Sequence, residues 1–177
     1  MPGAKPDVKP AKLICGILYQ STVELNRLNA ELTSRFGPID LKSQSFPFDF
    51  TDYYQDEMGK NLVKQFYSFE KMIMPDSLAD MKNATIDIEG DFSSQNRRTV
   101  NIDPGYLEES KLVLASTKNF SHRIYLKDGI WAEVTLRYEK GDFVAHPWTY
   151  PDYAQFLAIE FLKMVREKYK TQLHDLS

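Results

Sequence analysis

A continuous apolar run near the N-terminus constrains the fold more than any other feature of the sequence. Residues 13–19 read LICGILY and contain no charged side chain. Such a run, without alternation, is typical of a β-strand that is covered on both faces and lies inside its sheet. A chain of 177 residues normally forms one domain. We therefore expect a flexible tail over residues 1–11 and a single α+β domain over residues 12–177.

Helix and strand signals alternate after this run. Apolar residues three and four positions apart over residues 25–36 predict a helix, which a capping-box pattern at Ser21 and Glu24 would begin. A two-residue period over residues 39–50 and a second apolar run over residues 62–73 predict two strands.

The segment after Pro75 has two interpretations over part of its length. Apolar residues at helical spacing over residues 75–92 predict a helix, but residues 85–92 also alternate as a strand would. Residues 98–103 predict a short strand that ends in a turn at residues 103–106, which read DPGY. The resulting order, β-α-β-β-α-β, is that of a ferredoxin-like (split βαβ) core.

Two further helices are predicted in the C-terminal half. Residues 107–115 are predicted to form a helix, with a strand as the alternative. Glu108 and Glu109 precede Lys111, and this order of charges matches the helix dipole. Thr149 and Asp152 would cap a long C-terminal helix that Pro151 begins. Its core-facing residues would be Leu157, Phe161, Val165 and Tyr169.

Between these two segments, residues 122–138 predict a β-hairpin. A three-residue loop over residues 127–129 places apolar and charged side chains on separate faces, whereas a two-residue loop mixes them. The favoured register pairs Leu126 with Ile130, Tyr125 with Trp131, Ile124 with Ala132 and Arg123 with Glu133. The predicted fold is thus a ferredoxin-like core with an added C-terminal hairpin and a long C-terminal helix.

The composition excludes several classes of function. The 22 basic and 25 acidic residues give a net charge of −3, which attracts neither nucleic acid nor an anionic membrane. The sequence contains no phosphate-binding glycine loop, no zinc-protease motif and no serine-hydrolase motif. Cys15, the only cysteine, cannot form an internal disulfide, and its apolar neighbours predict a buried side chain rather than a reactive thiol. No apolar run spans a bilayer, so we expect a cytoplasmic protein.

Two segments of opposite charge offer candidate site residues. Residues 43–59 contain four acids and no base, and residues 110–127 contain four bases and no acid. These segments are either solvated faces or the two sides of a site that binds phosphate or carboxylate. The candidate ligand-binding residues are Tyr54, Tyr106, Ser116, Thr117, Lys118, His122 and Arg123.

Carboxylates in and near these segments could also hold a cation, because Mg²⁺ prefers oxygen ligands. The candidate ligands for Mg²⁺ are Asp52, Glu57, Asp103 and Glu133. Two alternatives stay open: Asp103 could instead cap the predicted turn, and His122 could be a core histidine.

Several sequence blocks occur together in one order. They are FDFTDYY at residues 48–54, NIDPGY at 101–106, LASTK at 114–118, HRIYL at 122–126 and WTYPDY at 148–153. Over nearly the whole chain after the N-terminal tail, this pattern resembles a bacterial family of unknown function, domain-of-unknown-function family 4416. The resemblance implies no particular reaction, but it directs attention to the polar residues inside these blocks.

The sequence leaves two functions of different classes open. One is a small enzyme or binding protein for an anionic small molecule, phosphorylated or nucleotide-like, with or without Mg²⁺. The alternative is a non-catalytic protein-interaction or structural module. A concavity in which the acidic and basic segments converge would favour the first, and an exposed apolar patch would favour the second.

Overall fold

A computed structural model describes residues 7–176 and has an α+β architecture. The strands are β1 (Ala11–Gln20), β2 (Ile39–Lys42), β3 (Phe46–Pro47), β4 (Leu62–Ile73), β5 (Ser93–Ser94), β6 (Arg97–Arg98), β7 (Val100–Leu107), β8 (Lys111–Ser116), β9 (Ile124–Lys127), β10 (Ile130–Glu139) and β11 (Asp142–Ala145). The helices are α1 (Leu25–Phe36), α2 (Gln55–Met58), α3 (Leu78–Asp91), α4 (Pro151–Ala154) and α5 (Phe156–Asp175), and a 3₁₀ turn (Pro75–Ser77) leads into α3.

The main sheet is antiparallel and has the strand order β11-β10-β8-β7-β1-β4-β2. The short strand β3 pairs with β4, and β9 pairs with β10. Because β1 lies between β4 and β7, it is an internal strand, as its continuous apolar run predicted.

Helices cover both faces of this sheet. Leu13, Cys15 and Ile17 of β1 pack with α1 and α3 on one face. Ile14 packs with α5 on the other face. The prediction of a buried Cys15 is confirmed, and burial raises the pKa of its thiol. The two cores explain why β1 can carry apolar side chains at successive positions.

The predicted helices over residues 25–36 and 75–92 are confirmed as α1 and α3. The strand alternative for residues 85–92 is wrong, because the segment buries one helical stripe against the sheet. The capping box is also wrong: α1 begins after Glu24, with no side-chain cap. Within residues 39–50, only β2 and β3 are strands.

Two predictions around residue 105 are wrong. The expected turn at residues 103–106 is absent, because β7 continues through Pro104 and Gly105. The expected helix over residues 107–115 is instead the turn into β8 and most of that strand. Both errors have one cause: local turn and helix preferences are overridden by pairing with buried neighbouring strands.

The hairpin has a different loop from the one expected. Asp128 and Gly129 have positive φ angles of 51° and 75°, so they form a two-residue turn that pairs Lys127 with Ile130. Leu126 is then an extra, bulged residue, and its predicted pairing with Ile130 is wrong. The register beyond the bulge is as predicted, with Tyr125 opposite Trp131 and Ile124 opposite Ala132. The expected separation of faces fails because all of β9 is exposed.

The C-terminal helix is divided in two. Gln155 has an extended backbone, with φ −76° and ψ 158°, and separates α4 from α5. Thr149 does not cap the helix, because its hydroxyl donates to the Thr135 carbonyl. Of the residues predicted to face the core, Phe161, Val165 and Tyr169 are buried and Leu157 is half-buried.

The first strand begins at the end of the predicted N-terminal tail. Residues 1–6 of the predicted tail lie outside the described residues, residues 7–10 have no regular secondary structure, and Ala11 already belongs to β1. Between residues 7 and 176, no helix has both the length and the apolarity needed to cross a bilayer.

Candidate functional site

The main sheet splits between β7 and β8. The two strands pair only through Gly105–Leu107 and Leu112–Leu114. A Cβ on Gly105 would lie 2.5 Å from the Val113 carbonyl oxygen, so the close approach at this junction requires glycine. Pro104, the next residue toward the split, has no N–H to offer a partner strand. The sequence thus ends the pairing at this point.

Beyond the split, β7 no longer pairs with β8, and side chains of α3 bind its backbone instead. The Ile102 N–H donates to Glu89 Oε1 over 2.7 Å, and the Ile102 carbonyl accepts from Lys82 Nζ over 2.9 Å. Buried backbone groups need such partners, because leaving one unpaired costs about 1–3 kcal/mol. Lys82 and Glu89 therefore keep the split open without an unpaired backbone group at Ile102.

A cleft of about 810 Å³ lies in this split. Its walls come from the 48–54 segment, α3, β7, β8 and the start of α4. The lining residues are Phe48, Phe50, Thr51, Tyr53, Tyr54, Lys64, Lys82, Ile86, Glu89, Arg98, Asn101, Asp103, Leu114, Ala115, Ser116, Thr117, Lys118, Tyr150, Pro151, Asp152 and Tyr153. The wall is therefore rich in aromatic rings and charged groups.

Two ion pairs form the floor of the cleft. Lys82 Nζ lies 3.2 Å from Asp103 Oδ1, and Lys64 Nζ lies 3.2 Å from Asp152 Oδ2. Asn101 Nδ2 donates to Asp103 Oδ2 over 2.9 Å. Burial alone would raise the pKa of Asp103, but the Lys82 and Lys64 ammonium groups outweigh it and lower the pKa. The Asp103 carboxyl is therefore ionised at neutral pH.

Gly16 has no side chain, and this leaves space for Tyr153 and for Lys64 of the cleft floor. A Cβ on Gly16 would lie 2.2 Å from the Tyr153 hydroxyl and 3.2 Å from Lys64 Nζ. Gly16 is also the direct strand partner of Asp103. The Tyr153 hydroxyl is buried and has no hydrogen-bond partner. Its pKa is raised well above the usual value, mainly by burial and further by the negative charges of Asp103 and Asp152.

Arg98 lines the cleft and connects several polar side chains there through hydrogen bonds. Its guanidinium binds Glu57 through two hydrogen bonds of 2.7 and 2.8 Å, and it also contacts Glu89 and Asn101. The hydrogen bonds from Arg98 lower the pKa of Glu57. Burial raises the pKa of Glu89, despite its nearby cations. Bidentate pairing fixes the guanidinium plane more firmly than a single contact would.

The mouth of the cleft carries the most exposed basic group. Lys118 Nζ lies 4.1 Å from the centre of the Tyr53 ring and contacts the Tyr53 hydroxyl. The Lys118 N–H donates to Ser116 Oγ, and Arg123 donates to the Lys118 carbonyl over 2.8 Å. A second hydrogen bond joins Arg123 to the Tyr150 hydroxyl over 2.7 Å. Arg123 thus connects the loop that carries Lys118 to the segment leading into α4.

His122 belongs to a neighbouring cluster rather than to the cleft wall. Its Nε2 lies 2.6 Å from Glu133 Oε2, and its ring stacks on Trp148 with centroids 5.0 Å apart. Arg123 Nε lies 3.5 Å from the same Glu133 oxygen, so the two side chains are in contact. The predicted strand pairing of Arg123 with Glu133 is not formed, because Arg123 precedes β9 and the pairing with β10 ends at Ile124. These contacts favour the interpretation of His122 as a partnered, largely buried histidine.

The structure brings together five of the predicted site residues in the cleft wall: Tyr54, Asp103, Ser116, Thr117 and Lys118. Tyr106 points to the other side of β7 and packs against the cluster under α3. Asp103 lies within β7, so its predicted role as a turn cap is wrong.

The four candidate ligands for Mg²⁺ are dispersed among separate partners. Asp52 accepts from Gln55, Glu57 from Arg98 and Asp103 from Lys82, whereas Glu133 contacts His122. Across residues 7–176, no three metal-ligating side chains of the His, Cys, Asp or Glu type form a group that could hold an ion.

Sequence reasoning identified Asp103 as a candidate site residue but missed the other three charges of the cleft floor, which are Lys64, Lys82 and Asp152. A signal was present, because Lys64 interrupts the apolar run of β4, and Lys82 and Glu89 fall on the same helical stripe as Leu78 and Thr85. Charged residues on an otherwise apolar face are rarely buried unless they are paired. This makes them candidates for a site, or for a structural ion pair.

Comparison with curated proteins and with solved structures finds no match. A family model does match: the one described as Domain of unknown function (DUF4416) covers residues 9–169. The matched range contains every residue that lines the cleft. On this match, and in agreement with its sequence blocks, the chain belongs to the DUF4416 family.

Proposed function

We propose that the cleft between β7 and β8 binds a small anionic molecule of the phosphorylated or nucleotide-like type. The observation that carries this proposal is the position of Ser116, Thr117 and Lys118 at the mouth of an 810 Å³ cleft with aromatic walls. Pockets for small molecules usually measure about 300–1,000 Å³ and combine apolar walls with a few polar groups. The dimensions and the lining of this cleft fit that class.

Lys118 is the group that would meet the anion first. Its present contact with the Tyr53 ring is exposed, and such cation–π contacts contribute about 0.5–1 kcal/mol. A hydrogen bond between charged groups contributes about 1.5–3 kcal/mol. A phosphate at the mouth would therefore compete successfully for the ammonium, with the hydroxyls of Ser116 and Thr117 as further donors.

A thermal-shift experiment tests this function. The wild-type protein is heated with inorganic phosphate, nucleotides and sugar phosphates, each with and without Mg²⁺. A ligand at 100 times its Kd stabilises the native state by about 2.7 kcal/mol, which for a chain of this size raises Tm by about 5–10 °C. Lys118→Gln should reduce the shift, whereas Lys163→Gln, on the outer side of α5, should leave it unchanged. The absence of a shift with every compound would contradict the proposal.

We also infer that the core follows the ferredoxin-like plan. β1 and β2 are joined by α1, and β4 lies between them; β4 and β7 are joined by α3, and β1 lies between them. Each unit is thus a βαβ arrangement split by a strand from the other unit, which is the arrangement of that plan. On this inference, β8 to β11 and α5 are additions to the core, and the cleft lies where the addition meets it.

A second candidate function, an interaction module, has one observation in its favour. Phe120 and Ile124 are 65% and 74% exposed, and Ile124 is the first residue of β9, a short edge strand. An exposed strand edge can pair with another chain, and the partner proposed is a second copy of this protein. Sedimentation of the wild type and of Ile124→Lys tests this: a dimer that the variant loses supports it, and a wild type that stays monomeric at all concentrations contradicts it.

A further inference from the structure

We propose that the cleft is specific for nucleoside monophosphates whose base carries an amino group, and that the Asp103 carboxylate accepts hydrogen bonds from that base. This inference rests on the proposed function, because it assumes that the phosphate binds at Lys118. It adds the identity of the inner end of the ligand and the residue that selects it.

Asp103 is the most solvent-accessible of the four charged residues in the cleft floor. Its side chain is 27% exposed, whereas the other three floor charges, Lys64, Lys82 and Asp152, are at most 6% exposed. Of the four floor charges, the Asp103 carboxylate is therefore the one most accessible to a ligand that reaches the floor. The two ion pairs make the floor neutral overall, so a second phosphate or carboxylate at this depth would find no unpaired cation.

Asp103 also has acceptor capacity left. An ionised carboxylate offers about four acceptor positions. Lys82 uses one on Oδ1 and Asn101 uses one on Oδ2, so about one position on each oxygen remains. Because the carboxyl is ionised at neutral pH, it can only accept hydrogen bonds. The inner end of the ligand must therefore be a donor.

A second, independent observation marks the same end of the cleft. Tyr153 is one of the residues that line the cleft, it is only 1% exposed, and its buried hydroxyl has no hydrogen-bond partner. It stands beside Gly16, the strand partner of Asp103. A buried hydroxyl without a partner is costly, and its free hydrogen-bonding capacity adds to that of Asp103 at one place.

The walls between floor and mouth determine the middle of the ligand. Phe48, Tyr54 and Tyr150 line the cleft together with Phe50 and Tyr53. Aromatic rings stack on the flat faces of bases, a contact worth about 1–3 kcal/mol per base. A donor at the floor, a flat ring along the walls and a phosphate at Lys118 together describe a nucleoside monophosphate with an amino-bearing base.

Matched pairs of nucleotides test the inference on the wild-type protein by calorimetry. Adenosine 5′-monophosphate is compared with purine riboside 5′-monophosphate, and guanosine 5′-monophosphate with inosine 5′-monophosphate. The two members of each pair differ by one amino group. We expect the amino-bearing member of at least one pair to bind roughly tenfold or more tightly, because hydrogen bonds to charged groups are strong.

Two variants assign the preference to Asp103. Asp103→Asn should reduce the preference to about threefold or less, since it replaces one acceptor by a donor and removes the charge. The matched control is Asp142→Asn at an exposed position of β11, which should keep the full preference. Should Asp103→Asn fail to fold, the comparison of the nucleotide pairs in the wild type still decides.

The outcomes separate this inference from the proposed function. Equal affinity within both pairs, or a preference that persists in folded Asp103→Asn, overturns the role of Asp103 while leaving the anion-binding cleft in place. Binding of glucose 6-phosphate without binding of any nucleotide also overturns the role of Asp103 in base recognition and leaves the anion-binding cleft in place. If neither the nucleotides nor the sugar phosphate binds, the proposed function itself fails.

Discussion

The Asp40→Ala variant is expected to lose about 3–5 kcal/mol of its free energy of unfolding, the usual cost of removing one partner from a buried ion pair. Lys12 is fully buried in β1, and its ammonium lies 2.5 Å from Asp40 Oδ2. Without Asp40, the remaining hydrogen-bond partner of the ammonium is the Gln172 side-chain carbonyl, 2.7 Å away. The same carboxylate also accepts from Ser68 and attracts Lys168 of α5.

The matched control is Asp87→Ala. Asp87 lies 3.9 Å from Arg35, and both side chains are exposed, so this substitution should cost at most about 1 kcal/mol. Urea unfolding monitored by circular dichroism measures both variants. A similar, small loss in the two would show that the Lys12–Asp40 pair does not stabilise the fold.

The same pair gives the stability a pH dependence of known sign. Burial alone would raise the pKa of Asp40, but Lys12 and Ser68 more than offset it, so the pKa is lowered in the folded protein. A lowered carboxyl pKa stabilises the fold fully above the unfolded value of about 3.9. This contribution is lost as the pH falls through the folded value, and Asp40→Ala should lack that part of the acid sensitivity.

The Gly16→Ala variant is expected to be destabilised by about 1–3 kcal/mol, although alanine is otherwise preferred to glycine in a strand. The added methyl group would lie 2.2 Å from the Tyr153 hydroxyl and 3.2 Å from Lys64 Nζ. Since the Tyr153 ring is tightly enclosed, it cannot rotate away at low cost. The overpacking therefore outweighs the gain in backbone entropy.

A second substitution should rescue the first. Tyr153→Phe removes the atom that the new methyl group meets, so the double variant Gly16→Ala/Tyr153→Phe should recover most of the lost stability. The control, Gly90→Ala in α3, has open space at the new Cβ and should gain about 0.5–1 kcal/mol. Thermal unfolding of these variants measures the coupling. If the two losses simply add, the close approach of Gly16 and Tyr153 is not the cause.

Hydrophobic periodicity predicted the elements that build the two cores. β1, α1, α3 and the C-terminal helix were all identified, because each buries a face or run of regular spacing. Two of the wrong predictions lie around Pro104 and Gly105, whose local preference is for a turn. In the sheet, Gly105 instead allows the β8 backbone to approach closely, and the pairing of β7 with β8 ends at Pro104. Such a role depends on a partner strand, which no local pattern reveals.

The candidate site was predicted in part for a similar reason. Lys118 and its neighbours stand out in the sequence as a basic segment, and they line the mouth of the cleft. Lys64 and Lys82 are single charges within apolar stretches, and they meet Asp103 and Asp152 only once the strand order is known. Charge bias along the chain finds the exposed part of a cleft, whereas its floor is assembled from residues that are distant in sequence.

The split between β7 and β8 also affects which sequence changes the cleft can tolerate. Its width is determined by the place where two regular strands separate, at Pro104 and Gly105, and by the α3 side chains that hold Ile102. Insertions in the surface loops would alter the entrance but leave the distance between the strands unchanged. A residue other than proline or glycine at these two positions would change that distance directly, so the dimensions of the cavity are encoded in regular strands and in α3 rather than in the surface loops.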